Sequence, residues 1–379
     1  MKISFKDYLL FACLSAAVIL CAAELVLRIA FGLPEGIFWD WSTGKNGLYP
    51  ESARIKMLWG PVPYVLETNS RGFRGPELLP ESDETKIRIA ALGDSVTDGA
   101  FVDNRETSPF LLQEILRKRG MEVEVFDAAH MGGSIDKELA IFKKNVMPFH
   151  PEIVVLTFVT NDIAEIWGKS KEDLVAGITE KPETSLANFV LVNTAVGEFV
   201  FDSYLKLRFS DYRKAREKAK DFSNRYNIAG GDNYHENSRL FIKRFRDTDG
   251  LLLNEPFSEE VLKHIDNYVH ALRELKAACD ARNIKLLFVY SPAYPQIYDS
   301  SASFRIRDIL QEKSRQSGIS FLDLTPFFQA EGRERVLHLA PLDYHLNPAG
   351  NRLLAATIAD HLHANFLSVP GLGNPGAKR

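Results

Sequence analysis

The sequence predicts an α/β protein: a three-layer, doubly wound parallel sheet, preceded by an N-terminal transmembrane helix and interrupted by an inserted, mainly helical cap. Three observations carry this prediction. From about residue 86 onward, short β-branched runs alternate with stretches of helical spacing, the signature of strands joined by crossover helices. Several of those runs are apolar throughout, as strands covered on both faces must be. The first thirty residues hold one long apolar stretch, "YLLFACLSAAVILCAAELVLRIAFGL".

That stretch comes first in the chain. It is long enough to cross a hydrocarbon core of roughly 30 Å, which takes about 20 helical residues. Glu24 and Arg28 fall near its far end at i and i+4, where they can pair and reach the interface. Lys2 and Lys6 precede it, so the N-terminus is expected on the cytoplasmic side and the body outside the cytoplasm. A cleaved signal peptide is the competing reading, although its apolar region is normally shorter and ends at small residues. Residues 1–32 are therefore assigned as a membrane anchor.

Residues 33–85 carry Trp, Pro and Gly without sustained periodicity and read as an irregular lead-in; "TNSRGFRGPE" within it has the composition of a packed turn. The α/β domain is expected over 86–366. Its strands are "KIRIAALG", "EVEVFDAA", "EIVVLTFV", "IKLLFVYS" and "ISFLDL"; its clearest helices are "SPFLLQEILRKRG", "VLKHIDNYVHALRELKAACDARN" and "PAGNRLLAATIADHLHANF". An insertion at about 163–255 breaks the alternation and is read as the cap. Its basic run, "YLKLRFSDYRKAREKAKDF", also holds Asp211, Glu217 and Asp221, and reads as a solvated helix face rather than a polyanion site. Residues 367–379 form a flexible tail.

Composition removes several classes of function. With 379 residues, 45% of them hydrophobic, the chain can bury a large core. A net charge of −4 gives no basic footprint for nucleic acid. Cys13 and Cys21 lie in the apolar segment, so Cys279 stands alone in the remainder and no disulfide forms there. No phosphate-cradling G-x-x-x-x-G-K-[ST] occurs. "GLGNPG" matches a dinucleotide pattern in letters, but sits in the tail with no strand before it. No cofactor or metal is expected, since Asp343 and His345 lack a third ligand at suitable spacing.

The chemistry-bearing residues fall at strand ends, where doubly wound sheets place their ligands. "ALGDSVTDG" puts Ser95 just beyond the first of the five strands. A serine nucleophile needs a base, and the base needs a carboxylate to hold its tautomer. "PLDYHLNPAG" supplies Asp343 and His345 in the loop before the last helix. Acyl transfer also needs donors where negative charge develops. "AAHMGGSID" offers Gly132, with Gly133 as an alternative, and "FVTNDI" offers the Asn161 amide. Asp94 is expected to hold its turn by bonding to nearby backbone.

Taken together, these four blocks resemble the SGNH, or GDSL, hydrolase superfamily, over roughly residues 86–365, and the apolar helix followed by the "NSRGFRG" lead-in resembles its membrane-anchored bacterial members. The resemblance implies a flavodoxin-like sheet and a serine hydrolase that cleaves carboxylic esters. It makes Ser95 the nucleophile and His345 the base oriented by Asp343. It forms the oxyanion hole from Ser95, Gly132 and Asn161. Three positions depart from the family pattern: Asp343 stands two residues before the histidine rather than three, Thr160 precedes Asn161 in place of glycine, and Asp127 opens its block in place of asparagine. The expected partners are an acylated small molecule, lipid or glycan, and the membrane through the N-terminal helix. An O-acyltransferase acting in polysaccharide modification, and a non-catalytic glycan-binding or scaffold protein, are the alternative functions.

Overall fold

In the computed structural model the described residues are 4–31, 48–57, 64–79, 86–164, 194–197, 199–200, 203, 252–299, 301–339 and 343–367. Helix α1, Phe5–Phe31, is long and apolar enough to cross a membrane, and none of its residues is buried against the rest of the chain. At 1.5 Å per residue its 27 residues span about 40 Å. The Arg28 guanidinium pairs with Glu24 at 2.7 Å, as their i, i+4 spacing requires. The same Glu24 carboxylate accepts from the backbone N–H groups of Ala195 and Val196, each at 3.0 Å.

The lead-in contains more order than its sequence suggests. Strands β1, Arg54–Met57, and β2, Tyr64–Glu67, pair antiparallel. Four-residue strands are too short to establish a period of two, which is why the segment reads as irregular.

The body is a five-stranded parallel sheet. Its strands are β3, Ile87–Gly93; β4, Val123–Asp127; β5, Ile153–Phe158; β6, Lys285–Tyr290; and β7, Ser320–Asp323. Their order is β4-β3-β5-β6-β7, with every neighbouring pair parallel. The chain reverses its winding direction between β3 and β5, so the crevice opens there, outside the strands' carboxyl ends. The helices are α2, Ser95–Asp98; α3, Ser108–Lys118; α4, Ile135–Ile141; α5, Asn161–Ala164; α6, Glu259–Asp280; α7, Tyr294–Tyr298; α8, Arg305–Gln316; α9, Thr325–Glu331; and α10, Pro348–Leu362.

Two cores sandwich the sheet. On one face Ala90, Leu92, Phe126 and Leu156 pack against α4, α6 and α8. On the other, Ile89, Val125, Val155 and Val289 pack against α3, α9 and α10. Alternate residues of one strand thus enter opposite cores, which explains why β5 is buried at every position. A fully buried Leu or Val side chain contributes about 1.5–3 kcal/mol relative to exposure. Leu367 is also buried in the second core, so the ordered body runs one residue into the segment assigned as tail.

The helices that frame the crevice begin where their caps dictate. Thr107 caps α3, with Pro109 in its first turn. Asn347 caps α10, accepting from Ala349 N at 2.9 Å and Gly350 N at 3.0 Å. The insertion assigned to 163–255 lies mostly outside the described residues. Its end is tied to the sheet: Leu252 enters the first core.

Candidate active site

The site starts with the end of β3. Gly93 has φ of 149°, and a Cβ there would stand 2.3 Å from Thr97 Oγ1, so only glycine lets the strand turn directly into α2. Asp94 then caps α2 through Oδ1, which accepts from Val96 N at 2.9 Å. Its other oxygen accepts from Asn161 Nδ2 at 2.9 Å and lies 3.2 Å from Ser95 Oγ. Asp94 therefore holds its own turn and also joins the ends of β3 and β5. A one-turn helix starts at Ser95 itself, ahead of α3 near Pro109.

Ser95 is 7% exposed, and its Oγ lies 2.7 Å from His345 Nε2. On the far side of the ring, His345 Nδ1 lies 2.5 Å from Asp343 Oδ1. With the proton on Nδ1, the ring donates to Asp343 and accepts from the serine. The two-residue spacing works because the loop closes as an Asx turn: Asp343 Oδ1 also accepts from the backbone N–H of His345 at 2.9 Å. One carboxylate oxygen thus fixes both backbone and ring of the same histidine. Tyr344 stacks on the imidazole at 4.7 Å and Phe101 meets it edge-on at 5.1 Å. Burial by itself would lower the His345 pKa; the Asp343 carboxylate and its hydrogen bond, helped by Asp94 and Asp98, outweigh burial and raise it above the ordinary value.

Gly132 and Gly133 lie between β4 and α4, on the other side of β3. Gly132 is exposed with φ of 66°. Gly133 is buried, and an added Cβ would stand 3.2 Å from Gly93 O and 3.3 Å from Asp94 Cα. Asp127 begins this turn by accepting from Ala129 N at 3.0 Å. Burial pushes its carboxyl well above the ordinary range, with the Asp98 charge adding and Arg74 opposing. An aspartate Oδ1 accepts from this backbone N–H as an asparagine Oδ1 would, so the turn is kept at this departure from the family pattern.

A shallow pocket adjoins Asn161, lined among others by Thr160, Ser291, Tyr294, His338 and Tyr344. His338 is buried, with its ring edge-on to Tyr294. Burial pushes its pKa down to about 3, with the nearby His345 charge acting the same way, so the ring stays neutral at physiological pH. Among the described residues no group of His, Cys, Asp and Glu is arranged to hold a metal ion.

The structure thus brings Ser95, His345, Asp343 and Asn161 into one hydrogen-bonded chain and places Gly132 on the adjoining loop. Sequence reasoning missed the layer behind it. Tyr49 OH donates to Asp98 Oδ2 at 3.0 Å, and Arg74, read only as part of a turn, reaches the same loop. The signal in the sequence was "NSRGFRG" itself, which resembles the lead-in of membrane-anchored members of the superfamily but says nothing of contacts 24 or more residues away.

Comparison with known proteins bears on the family to which the chain belongs. No curated protein matches the chain. Among solved structures, an acetyl xylan esterase, AlAXEase, aligns at 16% identity over 73% of this chain and 100% of its own, with a TM-score of 0.42. A lipase/acylhydrolase from Enterococcus faecalis aligns at 13% identity over 73% and 96%, with a TM-score of 0.41. A two-domain esterase active on acetylated mannans, co-crystallized with mannopentaose, aligns at 12% identity over 74% and 50%, with a TM-score of 0.39. Likenesses this remote carry no argument about substrate. The model of the GDSL-like lipase/acylhydrolase family, in contrast, matches residues 91–353, well over half of the chain. By that match, which runs from the end of β3 past the loop that carries His345, the chain belongs to the GDSL-like lipase/acylhydrolase family and is a serine ester hydrolase of the SGNH/GDSL superfamily.

Proposed function

We propose that Ser95 is the nucleophile, that His345 oriented by Asp343 is its base, and that Ser95 N–H, Gly132 N–H and the Asn161 amide form the oxyanion hole. The observation that carries this is the unbroken chain Asp343 Oδ1, His345 Nδ1, His345 Nε2 and Ser95 Oγ, with links of 2.5 and 2.7 Å. In the first step His345 Nε2 takes the Ser95 proton as Oγ attacks the ester carbonyl, and the carbonyl oxygen gains the negative charge. His345 then returns that proton to the leaving alcohol, giving an acyl-Ser95 ester. Water, deprotonated by the same ring, attacks that ester; the acyl–Oγ bond breaks as His345 returns the proton to Ser95 Oγ, releasing the carboxylic acid and restoring the enzyme. Gly133 is committed to packing against the loop of Ser95, whereas Gly132 stands at the open side of its turn; this favours Gly132 as the donor.

The substrates proposed are carboxylic esters of envelope or extracellular glycans, lipids or small molecules. Support for that location is the apolar α1 with Lys2 and Lys6 before it, which directs the N-terminus to the cytoplasm and the α/β domain outside. The decisive experiment uses the full chain in detergent with short p-nitrophenyl esters and a fluorophosphonate probe. Wild type hydrolyses the esters and is labelled; Ser95→Ala loses both, with hydrolysis falling by roughly 10⁴-fold or more. Labelling that persists in Ser95→Ala sinks the assignment.

A further inference from the structure

We propose that Arg74, from the lead-in, is a positioning residue for the nucleophile loop, and that the "NSRGFRG" segment is therefore a working part of the active site. The inference rests on the assignment of Ser95 as nucleophile. Arg74 is 4% exposed. Its Nη1 donates to Asp98 O at 2.5 Å and Gly99 O at 3.0 Å, and its Nη2 to Val102 O at 2.5 Å. Nε donates to Asn104 Oδ1 at 3.0 Å, and Nη1 lies 3.6 Å from Asp98 Oδ2.

The need for such a residue follows from the loop. Helix α2 has only four residues and begins at Ser95, so its carbonyl ends lie within one turn of the nucleophile. Buried carbonyls must find donors, and here a single planar fork serves three of them. The loop also holds a conformation that it would not adopt alone. Phe101 has φ of 67°, a left-handed value that non-glycine residues rarely take and that persists only when the surroundings over-determine it. Arg74 grips Val102 O on one side of Phe101 and Gly99 O on the other. That grip keeps Phe101 edge-on to the His345 ring, so the same clamp governs both ends of the Ser95 to His345 contact.

The lead-in is built to deliver this guanidinium. Asn69 Oδ1 accepts from Arg71 N at 2.9 Å and Phe73 N at 3.1 Å, while its Nδ2 donates to Pro76 O at 3.1 Å. Backbone bridges join Arg74 to Thr68 and to Asp127, the residue that opens the Gly132 turn. Tyr64, from β2, places its ring beneath the guanidinium at 5.4 Å. Arg74 is thus fixed from its own segment, from β2 and from β4.

The test compares full-length wild type, Arg74→Met and Arg74→Lys by fluorophosphonate labelling and p-nitrophenyl acetate hydrolysis. The expected result for Arg74→Met is a labelling rate constant about a hundredfold lower, since an ångström of misplacement can cost that much, with KM near the wild-type value. The fraction finally labelled stays high. A purely structural role gives the opposite pattern: fewer competent molecules, each labelled at the normal rate, and that result overturns the proposal. Arg74→Lys keeps the charge without the fork and is expected to fall between the two. If Arg74→Met does not fold, Arg74→Lys decides, and a wild-type rate constant there overturns the proposal. Labelling retained in Ser95→Ala strikes the nucleophile assignment itself, independently of Arg74.

Discussion

The loop from Asp94 to Val102 has two faces made by different parts of the chain. Its front meets Asn161 and His345, which arrive from the ends of β5 and from the loop before α10. Its back meets Tyr49 and Arg74, which arrive from the lead-in. The front is held by side chains that bond one another in the crevice. The back is held by an arginine bonded to main-chain carbonyls and by a carboxylate deep in the protein. The Asp98 pKa stands raised, at about 6: burial pushes it up, and the Arg74 guanidinium and Tyr49 hydroxyl bring it part of the way back, so partners offset the cost of a charge in the interior. The difference teaches that the front sets what the serine can react with, and the back sets where the serine stands.

Breaking the front should have the larger effect on rate. Asp343→Asn should lower kcat by roughly 10⁴-fold, because the ring loses the acceptor that fixes its tautomer. It should also move the acid limb of the kcat/KM profile. In the proposed mechanism the neutral ring is the base, so activity is expected to fall as the pH drops through the His345 pKa. That pKa now stands above its ordinary value because Asp343 outweighs burial. Removing the charge lowers it, and the limb shifts to lower pH. A pH profile identical to that of wild type would show that Asp343 is not the partner.

A milder cut is Asn161→Ala. With Asn161 as the proposed oxyanion donor, its loss should reduce kcat by about 10²–10³-fold, near 3 kcal/mol of transition-state stabilisation. The same change frees Asp94 Oδ2 from its bond across to β5. Steady-state kinetics with p-nitrophenyl acetate check it, and a loss confined to KM would argue against the donor role.

The smallest expected effect comes from the back. Gly72 has φ of 80°, and an added Cβ would stand 2.4 Å from Tyr49 O. Gly72→Ala should therefore displace the lead-in and cost about 1–3 kcal/mol of stability. Thermal melts read this directly. An unchanged Tm would mean that the lead-in tolerates displacement and that the two faces are less different than their contacts indicate.

The legibility of the two faces in sequence follows the same division. Alternation of strand and helix revealed the sheet, because β3 to β7 are buried by helices on both sides and so carry apolar runs. Ser95, Asn161 and His345 could be singled out as candidates because doubly wound topology places ligand-facing side chains at strand ends and in the loops beside them. The Asp343 to His345 contact could be anticipated despite the altered spacing, because an acidic residue beside a loop histidine is a local feature. Asp94 was understood only in part: its cap is local, but its bond to Asn161 joins residues 67 apart. Arg74 could be noticed within "NSRGFRG" but not its contacts, and Asp98 was not legible, since both bond to carbonyls and hydroxyls distant in sequence.

What the sequence determined by itself was therefore periodic or local: the apolar α1, the alternating elements, the glycine that lets β3 turn, and the residue types at the strand ends. Only the tertiary structure decided which of these meet. The strand order β4-β3-β5-β6-β7 brings the ends of β3 and β5 side by side, and the folded lead-in closes the back of the loop. The physical reason is range. Backbone propensity and burial patterns act over a few residues and leave a trace in the sequence, whereas a contact such as Ser95 with His345, 250 residues apart, depends on the whole packed sheet and leaves none.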